Sequence, residues 1–132
     1  MYFPAKLHTY IFGFWSILVN FLVTGASEGI GRGVALQLAL DGGGKIYITG
    51  RNRDKLDRVV EEINRRGGEG VAVVCDHNHD DQTKAVFTKI EKEEGRLDIL
   101  VNNAYGGVNA LFKDLGRPYW ELGKVSFNLT IK

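Results

Sequence analysis

Four short apolar runs alternate with segments whose apolar residues recur at helical spacing, and this pattern constrains the fold more than any other feature of the chain. The first run, Ile17 to Thr24, is almost unbroken, as a strand covered on both faces should be. Val34, Ala35, Leu38 and Ala39 follow at helical spacing until Asp41-Gly42-Gly43-Gly44 stops them. Ile46, Tyr47 and Ile48 make a second strand. Leu56, Val59, Val60 and Ile63 mark one face of a helix from about Asp54 to Arg66. Gly67, Gly68 and Gly70 end that helix ahead of a third strand, Val71 to Val74. A charged helix over Asp81 to Glu94, with Val86, Phe87 and Ile90 inward, closes at Gly95 before a fourth strand, Asp98 to Val101. Strands joined through helices by short links run parallel, with helices on both faces. Right-handed crossovers then leave the doubly wound sheet as the leading topology. The expected class is α/β: a Rossmann-like doubly wound parallel sheet of about four strands.

At 132 residues the chain has the length of one ordinary domain. Its 17 Lys and Arg offset 16 Asp and Glu, and a net charge of +1 leaves no basic excess for nucleic acid. A single cysteine excludes an internal disulfide and fits a reducing compartment. The 17 glycines against two prolines point to tight turns between regular elements. The apolar stretch Tyr10 to Val23, behind Lys6 and His8, resembles an export signal, yet cleavage near Ala26 would cut the glycine loop described next. It is shorter than the roughly 20 residues of a membrane helix, and Asn20 interrupts it. The expectation is an apolar N-terminal extension over 1–16, one folded domain over 17–121 and a divergent tail over 122–132. Membrane contact through Tyr10 to Phe21 stands as the alternative. The expected location is intracellular: cytoplasmic, or at the endoplasmic reticulum membrane if that contact forms.

Between the first strand and the first helix lies Thr24-Gly25-Ala26-Ser27-Glu28-Gly29-Ile30-Gly31. At such a place a diphosphate docks on free backbone N–H groups and on the positive end of a helix. A side chain at Gly25 or Gly29 would hold backbone and ligand apart, and one at Gly31 would separate helix from strand. The spacing is G-x-x-x-G-x-G in place of the common G-x-G-x-x-G, and glycine spacing on its own equally describes a turn. Position after a strong strand and before an amphipathic helix favours a cofactor, with Gly25, Ser27, Glu28, Gly29, Ile30 and Gly31 as candidate contacts.

An NAD site places an acid about 20 residues beyond the glycines, bonded to the ribose hydroxyls. Here Thr49-Gly50-Arg51-Asn52-Arg53 holds no acid before Asp54. A guanidinium at Arg51 suits a 2′-phosphate through paired charge-assisted bonds, which favours NADP(H) over NAD(H). Solvated helix-start residues are the plain alternative for Arg51 and Arg53, and Glu28 on the same side argues mildly against a phosphate. Asp76 and His77 follow the third strand, where side chains overhang the adenine pocket of such sheets. Cys75, His77 and His79 alternate, but no fourth ligand and no paired-ligand spacing accompanies them, so no metal is expected. Asn102-Asn103-Ala104 ends the fourth strand, where two amides serve a turn and also reach a ribose.

Three of these segments together resemble the short-chain dehydrogenase/reductase family. They are Thr24 to Gly31, Cys75-Asp76 and Leu100-Val101-Asn102-Asn103-Ala104, in order and at family spacing, with Tyr105 where the family normally carries glycine. The similarity covers about Val23 to Glu121. It implies a glycine loop on the diphosphate, Asp76 at adenine, and Asn103 with Ala104 near the ribose. It also implies oxidoreduction of a carbonyl or alcohol substrate, with a nicotinamide dinucleotide as partner. In that family a tyrosine and a lysine in Y-x-x-x-K, after a fifth strand carrying a serine, move the hydroxyl proton. Here the only such spacing is Tyr2 to Lys6, ahead of the first strand, while Tyr119 and Lys124 miss it by one.

Val125 to Thr130 resembles the family helix with a catalytic asparagine, which makes Asn128 the catalytic candidate. In similar members a longer insertion carries that asparagine beyond this terminus, and the tail then counts as unrelated sequence. Asn128-Leu129-Thr130 also fits a glycosylation acceptor. The expectation is an NADP(H)-dependent short-chain oxidoreductase, C-terminally truncated, with the cofactor half present and the catalytic Tyr and Lys absent. The alternative is a non-catalytic isoform that binds a nucleotide or a protein partner. Ending after four strands would leave Leu100 and Val101 at an uncovered sheet edge, an aggregation hazard. The oligomeric state is left open.

Overall fold

Apolar side chains on both faces of every central strand require a layer of helices above and below, and the chain supplies both. The computed structural model describes residues 19–42 and 44–106. In it β1 (Asn20–Val23), β2 (Lys45–Gly50), β3 (Glu69–Val74) and β4 (Ile99–Val101) form one sheet. The order is β3-β2-β1-β4 and each ladder is parallel, with Val23 opposite Ile48 on one side and Val101 on the other. The links carry α1 (Gly29–Asp41), α2 (Arg53–Arg65) and α3 (Asp80–Glu94). On one face Phe21, Val23, Ile46 and Ile48 pack against Ala35, Leu36 and Ala39 of α1 and Leu56, Val59 and Ile63 of α2. On the other, Leu22, Tyr47 and Cys75 meet Val86 and Ile90 of α3. The doubly wound α/β class is therefore the observed one.

Differences from the sequence expectations are local. β1 stops at Val23, and Ile17 and Leu18 lie outside the described residues. β3 starts at Glu69, ahead of its apolar run, because the Glu69 N–H still reaches the Gly44 carbonyl at 2.8 Å and Lys45 pairs with Glu69. Phe87, expected inward, is 40% exposed. Asn20, read as an interruption, is buried at the start of β1. Its N–H donates to Asp98 Oδ2 at 2.8 Å and its Nδ2 to the Arg96 carbonyl at 3.3 Å. Of the stretch Tyr10 to Phe21 weighed for membrane contact, Phe21 is thus core and Asn20 is sheet. Residues 10–18 of it, the extension over 1–16 and the tail over 122–132 lie outside the described residues. Among the described residues no helix is long and apolar enough to cross a membrane.

At the N-terminal edge of the sheet, buried Tyr47 carries its hydroxyl to within 2.8 Å of Glu93 Oε2 and 2.9 Å of Glu94 Oε1. Lys45 Nζ stands 2.6 Å from Glu94 Oε1, so β2 is tied to the last turn of α3. Burial and the two carboxylates push the Tyr47 phenol far above its ordinary value.

Candidate functional site

The chain winds from β1 to β2 to β3 in one direction, then returns through α3 to the far side of β1. That reversal falls at the C-terminal ends of β1 and β4, the place where doubly wound sheets bind ligands. The glycine loop, Arg51, Asp76 and Asn103 all leave this one edge.

Two threonines fasten the loop to its neighbours. Thr24 Oγ1 accepts the N–H groups of Asn103 and Ala104, each at 2.9 Å. Asn103 Nδ2 in turn donates to the Thr24 and Gly25 carbonyls at 3.0 and 3.1 Å. From β2, the Thr49 carbonyl accepts the Ala26 N–H at 2.8 Å and its hydroxyl accepts the Gly25 N–H at 3.3 Å. Sequence reasoning missed both threonines as site residues. Their signal was a polar β-branched residue ending each apolar run.

Gly25 and Gly29 take left-handed φ values of 64° and 61°. A Cβ on Gly25 would stand 2.9 Å from Ala104 Cα, so Gly25 is required by the segment that follows β4. A Cβ on Gly31 would lie 2.5 Å from Asn103 Nδ2 and 2.6 Å from the Gly25 carbonyl. Gly31 therefore clears Asn103 and the loop itself, where a helix-to-strand approach was expected. Around Gly29 nothing lies within 4 Å, and the space outside the loop is open.

The start of α1 is uncapped. Its N-cap, Glu28, makes no side-chain cap bond and no acid stands in the first turn, whereas Asn52 Oδ1 caps α2 by accepting the Lys55 N–H at 3.0 Å. Helix-start N–H groups without a cap, at the positive end of the dipole, are suited to an anion. The Glu28 carboxylate instead sits 2.7 Å from Lys55 Nζ, which holds it below the usual range and offsets the charge that argued against a phosphate. Ser27 packs under the loop close to Gly50, and Ile30 projects its apolar side chain into solvent, 80% exposed.

Arg51 is exposed on the bend after β2. Arg53, weighed beside it, is engaged within α2, where its Nε stands 2.9 Å from Asp57 Oδ1. Asp76 Oδ1 accepts the backbone and side-chain N–H groups of Asn78 at 3.0 and 2.9 Å. Those bonds, with the Arg51 charge, hold its carboxyl below the ordinary value. His77 departs from expectation: its imidazole does not overhang the edge but is tucked behind the loop. Nε2 stands 2.7 Å from Thr49 Oγ1 and Nδ1 3.2 Å from Thr83 Oγ1. Burial pushes its pKa down. Cys75 is a buried thiol with a pKa raised by burial. Among the described residues no three His, Cys, Asp or Glu side chains gather to hold a metal. Tyr2, Lys6, Tyr119, Lys124 and Asn128 lie outside the described residues.

This edge belongs to a Rossmann-like, doubly wound parallel sheet, and comparison with known proteins gives it a family. A family model described as short chain dehydrogenase matches residues 20–130, and the chain belongs to that family. It is 47% identical over 102 residues to dehydrogenase/reductase SDR family member 1 of Mus musculus and 46% identical over 101 residues to that of Homo sapiens. Each alignment takes in 76% of this chain and 32% of the relative, so the chain spans about a third of the length of these relatives. Among solved structures, a metagenomic short-chain oxidoreductase in complex with NADP matches with a TM-score of 0.63 and 40% identity, over 67% of this chain and 41% of that one. NAD+-bound xylitol dehydrogenase matches with a TM-score of 0.63 and 31% identity, over 67% of this chain and 34% of that one.

Proposed function

We propose that this chain binds NADP(H) and forms the cofactor-holding part of an oxidoreductase acting on a carbonyl or alcohol substrate. The observation that carries the reading is the uncapped start of α1, set by Thr24, Thr49 and Asn103 beside open space at Gly29. The residues present fit a dinucleotide. The first-turn amides of α1 would hold the diphosphate. Exposed Arg51, with no acid beside it on β2, would take a 2′-phosphate. Asp76, kept ionised by its donors, would accept from the adenine amine, and Asn103 and Ala104 would line the ribose side. The bound dinucleotide supplies or accepts a hydride.

One observation favours binding without turnover as a second reading. Of the two described tyrosines, Tyr47 lies at the opposite end of the sheet with its phenol driven away from ionisation, the reverse of what proton transfer needs. Tyr105, exposed just past β4, has Asn109 where a partner lysine would stand four residues on. The buried free thiol of Cys75 accords with a reducing, intracellular location, cytoplasmic or at the endoplasmic reticulum membrane.

Calorimetric titration with NADPH and NADH tests the cofactor reading. NADPH is expected to bind roughly tenfold tighter, the worth of one charge-assisted contact, with the preference lost in Arg51→Ala. Equal affinities in the unaltered chain would remove the Arg51 assignment, and binding of neither would remove the function. No NADPH-dependent carbonyl reduction is expected. Any NADPH-dependent turnover by the unaltered chain would refute the second reading.

A further inference from the structure

Behind the glycine loop, on the α3 face of β2, polar groups form one continuous line. It runs from the Gly25 N–H through the Thr49 hydroxyl, the His77 ring and the Thr83 hydroxyl to the His79 carbonyl. The donor inventory places each proton. Thr83 gives its hydroxyl proton to the His79 carbonyl at 3.2 Å, so its oxygen accepts from His77 Nδ1–H, also at 3.2 Å. Nε2 is then bare and accepts the Thr49 hydroxyl at 2.7 Å, while the Thr49 oxygen accepts the Gly25 N–H at 3.3 Å. The neutral Nδ1–H imidazole satisfies every member of this line. A second proton, on Nε2, would point a donor at Thr49 Oγ1. The Thr49 hydroxyl, fully buried, would then lose its acceptor and have to turn.

We propose that His77 is a positioning residue for the glycine loop: acting through Thr49 it fixes the Gly25 amide, and its protonation loosens the loop and weakens dinucleotide binding. The binding half of this statement rests on the function proposed above, while the link from His77 to Gly25 does not. The charged and titratable groups around the ring are few. Asp76 on its own segment draws a proton toward it, and burial opposes this more strongly. The Cys75 thiol, kept protonated by burial, lies 3.8 Å from Nδ1. From α3, Asp81 acts on Cys75, and Arg51 and His79 act on Asp76. With the imidazole held below its ordinary 6.5, the line is intact at neutral pH and is lost as the pH falls below that value.

Amide NMR of the full 132-residue chain, titrated from about pH 7.5 to about pH 5, reads the link with no ligand present. The Gly25 amide shift is expected to follow the His77 titration with the same midpoint. Thr49→Ser, which keeps the hydroxyl, should preserve this. Thr49→Val should leave Gly25 flat while His77 still titrates. A Gly25 amide that ignores pH, or that titrates unchanged in Thr49→Val, overturns the inference. On the same samples, NAD+ (which lacks a titrating 2′-phosphate) and NADP+ are measured by calorimetry at both ends of the range. Both are expected to bind roughly fivefold more weakly at the acid end, the worth of one hydrogen bond, with the drop absent in His77→Gln. Matching pH profiles in the two proteins overturn the inference. A Gly25 response without binding of either dinucleotide instead overturns the proposed function and leaves the link standing.

Discussion

An alanine at Gly31 would put its Cβ 2.5 Å from Asn103 Nδ2 and 2.6 Å from the Gly25 carbonyl, atoms held by their own hydrogen bonds. The expected cost is about 1–3 kcal/mol of overpacking, read as a lower urea midpoint at unchanged slope. Gly29→Ala meets open space, so it should cost only the left-handed backbone, about 1–2 kcal/mol. Thr24→Val keeps the shape of the side chain and removes the acceptor of two N–H groups. A loss of about 1–3 kcal/mol is expected there, largely restored by Thr24→Ser. At this scale the sequence showed where glycine is needed but not against what. The atoms that exclude a side chain at Gly25 and Gly31 belong to Ala104 and Asn103, and the loop's bonds to them span 78 to 80 residues. For His77, position after β3 suggested an edge residue. The partners that turn its ring inward, Thr49 and Thr83, come from two other elements.

The last turn of α3 is anchored through charge. Lys45, then Tyr47, hold the Glu94 carboxyl below its ordinary 4.5, and Lys89, then Tyr47, do the same for Glu93. A carboxyl with a depressed folded value stabilises fully above the unfolded value and loses that contribution as the pH falls through the folded one. Thermal midpoints should therefore drop with acid below pH 4.5, and Glu94→Gln should flatten part of that slope. α2 depends on a neutral cap instead, and Asn52→Ala should cost about 1 kcal/mol by chemical denaturation. Periodicity made all seven described elements legible: α2 and α3 bury Leu56, Val59, Ile63, Val86 and Ile90 as their apolar spacing marks, while Ile99 and Leu100 of β4 stay exposed. Within α3, Phe87 was the exception. Val86 and Ile90, one turn apart, fill the inward stripe of α3, and a neighbour of Val86 is rotated about 100° away from it.

Seen whole, the described sheet presents apolar side chains beyond its core. Ile99 and Leu100 on β4 are 45% and 46% exposed, with Val74 and Phe87 also open. A parallel edge of that kind invites pairing with another chain. Sedimentation velocity should show concentration-dependent association, reduced by Leu100→Lys. The fold class was legible because a parallel sheet leaves few ways to wind. What β4 contributes to the loop was not, because it depends on contact across the sheet. Thr24 is bonded to a residue 79 positions later. The glycines are thus made early in translation, yet the nascent chain cannot fasten their loop until β4 has left the ribosome and docked. Contacts so distant in sequence are the slow ones in folding. A synonymous change that stalls synthesis before residue 101 would postpone closure of the glycine loop without altering a single side chain.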